Sequence, residues 1–227
     1  MNNDFVVGRF IREEKNRFLC TVEVDGKEEE CYIPSSCRLE NFLKLAGKEV
    51  FLKENKSKNT RTHLMVYAIR FKRNFLILRP SEANELIMAA VHSRRFAYLK
   101  KRSQIEKERV INGYKADLYI PDTKTVIEIK SIITVNKQAV FPTVFSERAL
   151  DQLNKLEEII KDGYMVVYIF VVLNPYVGSI SLSKEEHLRE YKRKFYDCVK
   201  KGMKYRGYSV RIQNSEPIID KEIKVIL

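Results

Sequence analysis

No apolar run in this chain approaches the roughly 20 residues needed to span a bilayer. The longest, Met165 to Leu173, has only the length of a strand. No membrane partner is therefore expected. The opening Met1-Asn2-Asn3-Asp4-Phe5-Val6-Val7-Gly8 lacks the basic region and apolar stretch of a secretory signal, so a cytoplasmic location is expected by default. Metal-ligating side chains of the soft type are scarce. Cys20, Cys31, Cys37 and Cys198 form no Cys-x-x-Cys pair, and His63, His92 and His187 do not cluster with them. That spacing argues against a zinc site and reads as reduced, structural thiols. There is no internal repeat and no low-complexity tract.

What is abundant is positive charge. The 227 residues carry 42 Lys and Arg against 30 Asp and Glu, a formal charge of +12. Basic proteins commonly meet nucleic acid, because lysine and arginine displace condensed counterions from phosphates. A solvated lysine-rich surface is the alternative. At 44% hydrophobic the chain can bury a core, and its length suits one large domain or two small ones.

The first 80 residues read as short strands over Phe5 to Phe10, Phe18 to Val24, Glu30 to Ile33, Glu49 to Lys53 and Thr62 to Phe71. Turn signals such as Asp25-Gly26 separate them. Five strands in so short a span suit a small barrel of the OB type, a common nucleic-acid platform; another small barrel is the alternative. The stretch Lys53 to Arg73 is basic, with Phe51, Tyr67, Phe71 and Phe75 interleaved or adjacent. Such a pattern makes a charged groove with stacking surfaces, or simply a core on alternating strands.

From Ser81 the period changes. A helix is expected through about Tyr98, then strands over Lys107 to Ile111, Lys115 to Ile120 and Thr125 to Ile132. Ser146 caps a helix bearing Leu150, Leu153, Leu156 and Ile160, which Gly163 ends. A central strand over Tyr164 to Leu173, a helix from Lys184 to about Arg206 and a strand over Tyr208 to Ile212 complete the pattern. The expected division is residues 1–80 and 81–227.

The chemistry gathers in the second part. Side chains alternate along a strand, so Glu128 and Lys130 share one face while Ile127 and Ile129 share the other. On the preceding strand Lys115, Asp117 and Tyr119 are expected to face one way and Ala116, Leu118 and Ile120 the other. A hairpin then sets Asp117 beside Glu128. Two adjacent carboxylates repel, which an Mg2+ or Mn2+ ion relieves. Lys130 beside them suits phosphodiester chemistry, as a stabiliser of developing charge or as a base. Glu-x-Lys alone is common, but charges inside the apolar strand Val126-Ile127-Glu128-Ile129-Lys130 need a reason to be there. Helix, paired acidic strands and a following helix match the core of PD-(D/E)xK nucleases. Glu108 is a further candidate metal ligand, with Glu106 its rival. Glu147 and Gln152 start the next helix as residues that could orient the site, and Arg148 as one that could meet a phosphate.

At these residues the chain resembles the sugar fermentation stimulation protein A (SfsA) family over almost its whole length. The resemblance lies in Gly8-Arg9-Phe10-Ile11 with Asn16-Arg17-Phe18, Arg79-Pro80-Ser81-x-Ala83-Asn84, and Asp117. It continues in Ile127-Glu128-Ile129-Lys130-Ser131, Phe141-Pro142-x3-Ser146-Glu147-Arg148, and the final Val225-Ile226-Leu227. It implies a fold of the α/β (α+β) class: a PD-(D/E)xK nuclease-like core with an amino-terminal all-β OB-like barrel. It also implies DNA binding, with Asp117, Glu128 and Glu108 at the family's acidic positions and Lys130 at its lysine. Residues expected at the nucleic acid are Arg9, Arg17, Lys53, Lys56, Lys58, Arg61 and Arg148. The loop Ile33-Pro34-Ser35-Ser36-Cys37-Arg38-Leu39 departs from the family's Cys-Pro-Asn-Thr-Gly-x-Met, and Gln152 replaces a usual histidine. The function expected is a DNA-binding, metal-dependent nuclease. The alternative is a non-catalytic DNA-binding regulatory protein that keeps the fold. RNA as substrate and a homodimeric state both stay open.

Overall fold

Alternating apolar residues close the amino-terminal third into a barrel. The structure, a computed structural model, describes residues 5–34, 38–56 and 61–227. The strands are β1 (Val6–Glu13), β2 (Leu19–Val24), β3 (Lys27–Tyr32), β4 (Glu49–Glu54) and β5 (Leu64–Phe71), with a short helix α1 (Glu40–Leu43) before β4. Their order is β3-β2-β1-β4-β5, and a parallel bridge between Tyr32 and Met65 joins β3 to β5 and completes the circle. This is an OB-like five-stranded barrel. Phe10, Cys20, Val22, Cys31, Ile33, Val50, Leu52 and Val66 fill it without exposure. At Gly8 a Cβ would lie 2.5 Å from Val22 Cγ1 and 3.0 Å from the Glu23 carbonyl, so only glycine fits that approach of β1 to β2. Cys20 and Cys31 face each other across β2 and β3 as free thiols. Burial pushes both up, Cys31 to about 12. A sixth strand, β6 (Asn74–Ile77), was not among those expected; it pairs with β5 and leads out of the barrel.

The remainder is a mixed α/β domain. It begins with α2 (Glu82–Ala90), then β7 (Glu106–Lys107), β8 (Val110–Ile111), β9 (Tyr114–Lys115), β10 (Leu118–Ile120), β11 (Thr125–Ile132), β12 (Gln138–Phe141) and α3 (Glu147–Lys161). It ends with β13 (Met165–Val172), β14 (Ser179–Leu182), α4 (Arg189–Lys200), β15 (Lys204–Gln213) and β16 (Glu216–Ile226). Eight strands form one sheet in the order β12-β14-β16-β15-β13-β11-β10-β7, while β8 and β9 make a separate hairpin. The centre, β11-β13-β15, is parallel and carries apolar runs on both faces.

Two cores flank the sheet. On one face Ile127, Ile129, Val167 and Ile169 meet Ala83, Leu86 and Ile87 of α2, together with Phe51, Tyr67 and Ile77 of the barrel. On the other Val126, Val166, Tyr168 and Phe170 meet Leu153, Leu156 and Ile159 of α3 and Phe195 of α4. The barrel therefore sits with α2, opposite the side on which Glu128 and Lys130 point. No helix among the described residues is long and apolar enough to cross a membrane.

Several expected elements change. The helix from Ser81 ends at Ala90, and a 3-10 turn covers Arg94–Leu99. The helix expected from Lys184 to Arg206 is helical as α4 only over Arg189–Lys200; Gly202 at φ +112° ends it, and β15 begins at Lys204. Strands β12, β14 and β16 were not expected; β12 and β14 have four residues each, and the alternation Ser179-Ile180-Ser181-Leu182 in β14 is correspondingly short. The two strands before the turn at Pro121 are each broken, near Glu108 (φ 52°) and at Ala116-Asp117.

Candidate functional site

β11 fixes the site because it is central, held by eight consecutive parallel pairs from Thr125↔Met165 to Ile132↔Val172. Its alternation sends Glu128 and Lys130 toward α3. Glu128 is 2% exposed, and a buried carboxylate must find partners. One oxygen lies 2.6 Å from Lys130 Nζ, and the other accepts a short hydrogen bond from the Tyr114 hydroxyl. Lys130 Nζ also donates to Gln152 Oε1 at 2.7 Å, which ties the lysine to α3.

Asp117 directly precedes β10. The register Leu118↔Ile127 sets it across from Glu128. Its Oδ2 accepts the Ile129 amide at 2.7 Å, and its Oδ1 accepts Asn84 Nδ2 at 3.1 Å. Asp117 is thus anchored from both β11 and α2. Burial pushes the Glu128 carboxyl up; the Lys130 charge pulls it back and the Asp117 charge adds to the rise. Burial and the Glu128 charge together push the Tyr114 phenol up.

Tyr114, Asp117 and Glu128 line a cleft of about 580 Å³ together with Glu108, Glu147, Arg148 and Gln152, and Lys130 meets this lining through Glu128 and Gln152. The structure therefore brings the expected Asp117, Glu128, Glu108, Glu147, Arg148 and Gln152 to one place, with Lys130 bonded to two of them. It does not make a three-acid cluster. Glu108 is exposed and pairs with Lys115 at 2.9 Å, Glu106 pairs with Arg109 at 3.5 Å, and among the described residues no three His, Cys, Asp or Glu side chains are grouped to hold a metal. Asp117 and Glu128 alone give a hard, oxygen-only donor pair. That pair fits a small divalent cation which keeps several of its waters.

One orientation is corrected. Ala116 does not share a face with Leu118 and Ile120: it packs with Tyr114 on the α3 side, while they pack on the α2 side. The chain leaves the ladder at Ala116-Asp117, and this break resets the alternation. Tyr114 and Asp151, both in the cleft, were missed. Asp151 follows Glu147 by one helical turn, a signal that spacing could have supplied; Tyr114 depends on the β8–β9 hairpin.

The basic residues of the barrel are more dispersed. Lys53 and Lys56 line a second cleft of about 1080 Å³ between the barrel and α2, beside Phe18, Tyr32 and Arg79. Arg17 stacks over Phe18 at 4.8 Å, and Lys53 lies 4.2 Å from the centre of the Tyr67 ring. Arg9 is exposed on β1, outside this cleft. Arg61 pairs with Glu30 at 2.5 Å. Lys58, and Ser35 to Cys37 of the altered loop, lie outside the described residues.

Comparison with known proteins gives a consistent match. The model of the "Sugar fermentation stimulation protein RE domain" matches residues 81–216, and that of the "SfsA N-terminal OB domain" residues 13–78. The chain is 26% identical over 185 residues to a sugar fermentation stimulation protein homolog of Methanobrevibacter smithii, covering 76% of this chain and 77% of the relative. It is 22% identical over 231 residues to the homolog of Caldanaerobacter subterraneus subsp. tengcongensis, covering 100% and 99%. The structure of Pyrococcus furiosus SfsA in complex with Ca2+ superposes with a TM-score of 0.84 at 17% identity, over 98% of this chain and 96% of that one.

Proposed function

Since the chain belongs to the sugar fermentation stimulation protein (SfsA) family, we propose that it binds DNA and hydrolyses phosphodiester bonds in a metal-dependent reaction at Asp117, Glu128 and Lys130. The observation that carries this reading is that two carboxylates held by Tyr114 and Asn84 line one cleft, with a lysine bonded to Glu128 and Gln152 of that lining. Asp117 and Glu128 would hold Mg2+ or Mn2+, and a Ca2+ complex exists for the Pyrococcus furiosus relative. Such an ion, when bound, polarises a phosphate oxygen and lowers the pKa of a bound water.

The chain's own groups have separable tasks. Gln152 and Glu128 aim the Lys130 ammonium, which suits a donor to a phosphate oxygen as charge develops there. Asn84 and the Ile129 amide fix both oxygens of Asp117. Arg148, exposed at the cleft, supplies positive charge for the phosphodiester backbone. Lys53 and Lys56 offer the phosphate-contacting groups of the barrel cleft, beside Glu54, Glu85 and Glu216.

One observation favours a second reading. Among the described residues a third carboxylate does not join Asp117 and Glu128, as suits a DNA-binding regulatory protein that keeps the fold without the reaction. The test is cleavage of labelled single- and double-stranded DNA and RNA with Mg2+, Mn2+ or chelator. Wild type is expected to cut DNA only with metal, and Asp117→Ala to bind without cutting. Equal cleavage by Asp117→Ala rejects the site. Binding without cleavage, and no cation uptake in calorimetry by wild type or Glu128→Ala, selects the second reading.

A further inference from the structure

β12 is the terminal strand of the eight-stranded sheet, parallel to β14, and no strand among the described residues lies on its other side. Backbone groups point to alternate sides along a strand. The Gly178 amide donates to the Lys137 carbonyl at 2.9 Å and the Ser183 amide to the Phe141 carbonyl at 3.0 Å, so Lys137, Ala139 and Phe141 turn their backbone groups toward β14. Gln138 and Val140 turn theirs outward. An edge of this kind is a template for a further strand.

The side chains at this edge are short of charge. Val140 aligns with Ser181 of β14, and Ser181 with Ile226 of β16, so the three share one face of the sheet. Val140 and Ile226 are each 39% exposed there. On the opposite face Ala139 and Ile180 pack into the core beneath α3 and α4. The segment from Val135 to Phe145 contains one charged residue, Lys137, in a chain that is 32% charged, although Val135, Val140, Val144 and Phe145 are all exposed. Solvated edges are guarded by charge. Loss of charge together with exposed apolar side chains marks a protein contact instead.

The occupant must answer alternating amides and carbonyls. An extended polypeptide does so, and a phosphate backbone, which only accepts, does not. We propose that β12 pairs antiparallel with β12 of a second copy of this chain, about a two-fold axis at Ala139. Gln138 then lies opposite Val140 of the second copy, and the two exchange backbone hydrogen bonds, which uses all four outward groups of each chain. Lys137 falls opposite Phe141 of the second copy, so the lysines do not meet. The net charge of +12 opposes association, but charges farther apart than about 10 Å are screened at moderate salt, and the edge itself brings no like charges into register. The contact is isologous and closes at two copies. With four residues in β12, the association is weak and reversible. It is independent of the phosphodiester reading of the cleft.

Sedimentation of the full chain over a wide range of concentration tests this. The average mass is expected to rise from the 26.8 kDa of one chain toward twice that value, and added salt to favour the rise by screening the net charge. Val140→Lys sets an ammonium group on each side of the axis. It is expected to keep the mass of one chain and the melting temperature of wild type. Ala139→Cys supplies a second readout, which decides the matter even where a lysine on β12 disturbs the fold. At the axis Ala139 faces its counterpart as a non-hydrogen-bonded pair with Cα atoms about 4.5 Å apart, within reach of a disulfide. In an oxidised-glutathione buffer Ala139→Cys is expected to form covalent dimer well in excess of any formed by wild type. A wild type that keeps the mass of one chain up to millimolar concentration overturns the proposal and leaves the edge to a strand of another protein. A dimer that survives Val140→Lys, that salt weakens, or that Ala139→Cys does not cross-link also overturns it, by placing the contact on another surface.

Discussion

Tyr114 donates its hydroxyl hydrogen to Glu128 while each residue is only 2% exposed. The phenol comes from the β8–β9 hairpin and the carboxylate from the centre of the main sheet. Their meeting explains how an apolar strand tolerates an acid. A neutral donor and the Lys130 ammonium together satisfy both carboxylate oxygens, yet burial still disfavours the charge. Glu128 is thus kept at a cost in stability, as functional groups often are.

That cost has a pH signature. The folded-state carboxyl of Glu128 is raised by burial, so the native chain holds its proton to higher pH than the unfolded chain, where glutamate titrates near about 4.3. Stability from this group is complete below that value and falls as pH rises through the raised folded value. Glu128→Gln cannot ionise. It is expected to match wild type in acid and to melt higher near neutral pH, by about 2–4 °C for each kcal/mol recovered. Thermal melts of both proteins across the pH range check this; a constant difference at every pH refutes it.

The residues that hold the acids and the lysine should matter nearly as much as the groups they hold. Asn84→Ala frees one oxygen of Asp117, and Gln152→Ala frees Lys130 from α3. Each is expected to lower metal-dependent cleavage by about 10–100-fold with little change in melting temperature. Asn84→Ala should weaken cation binding in calorimetry. Gln152→Ala should leave cation binding near wild type and slow single-turnover cleavage, because it acts on the lysine and not on a carboxylate.

How far the sequence foretold these contacts depends on their range. Asp117, Glu128 and Lys130 are local: a short turn and strict alternation on β11 place them, and the alternation of Ile127 and Ile129 against Glu128 and Lys130 holds in the fold. The barrel was legible from Asp25-Gly26 and its flanking strands. Tyr114 was not, because it reaches Glu128 only after the chain leaves the ladder at Ala116-Asp117. Strands β12, β14 and β16 were hidden because their pairing is long-range: Ile180 pairs with Val225, and no local pattern announces that. The helix to Arg206 was overdrawn because Lys and Arg continue past Lys200 as good helix formers, while Gly202 at positive φ and the pairing of Lys204 with Val167 decide otherwise.

Away from the cleft, Glu157 gives a prediction about stability alone. It lies on α3, 7% exposed, and bonds Lys194 of α4 and Lys201 just past the end of α4. Lys161 is 3.9 Å from it on its own helix. One carboxylate therefore joins two helices and offsets three ammonium groups. Glu157→Ala leaves those groups facing one another. Lys194 and Lys201 retain 23% and 44% of their side-chain exposure, so they can turn toward water and recover part of the loss. The expected destabilisation is about 1–3 kcal/mol, less than for a fully enclosed pair. Denaturant unfolding should show it as a lower midpoint with an unchanged slope, and added salt should narrow the difference by screening the lysines. Cleavage by the folded variant should stay near wild type, since Glu157 does not line the cleft. A midpoint equal to wild type at low salt would show that the α3–α4 junction rests on Leu153, Leu156 and Phe195 and not on this ion cluster.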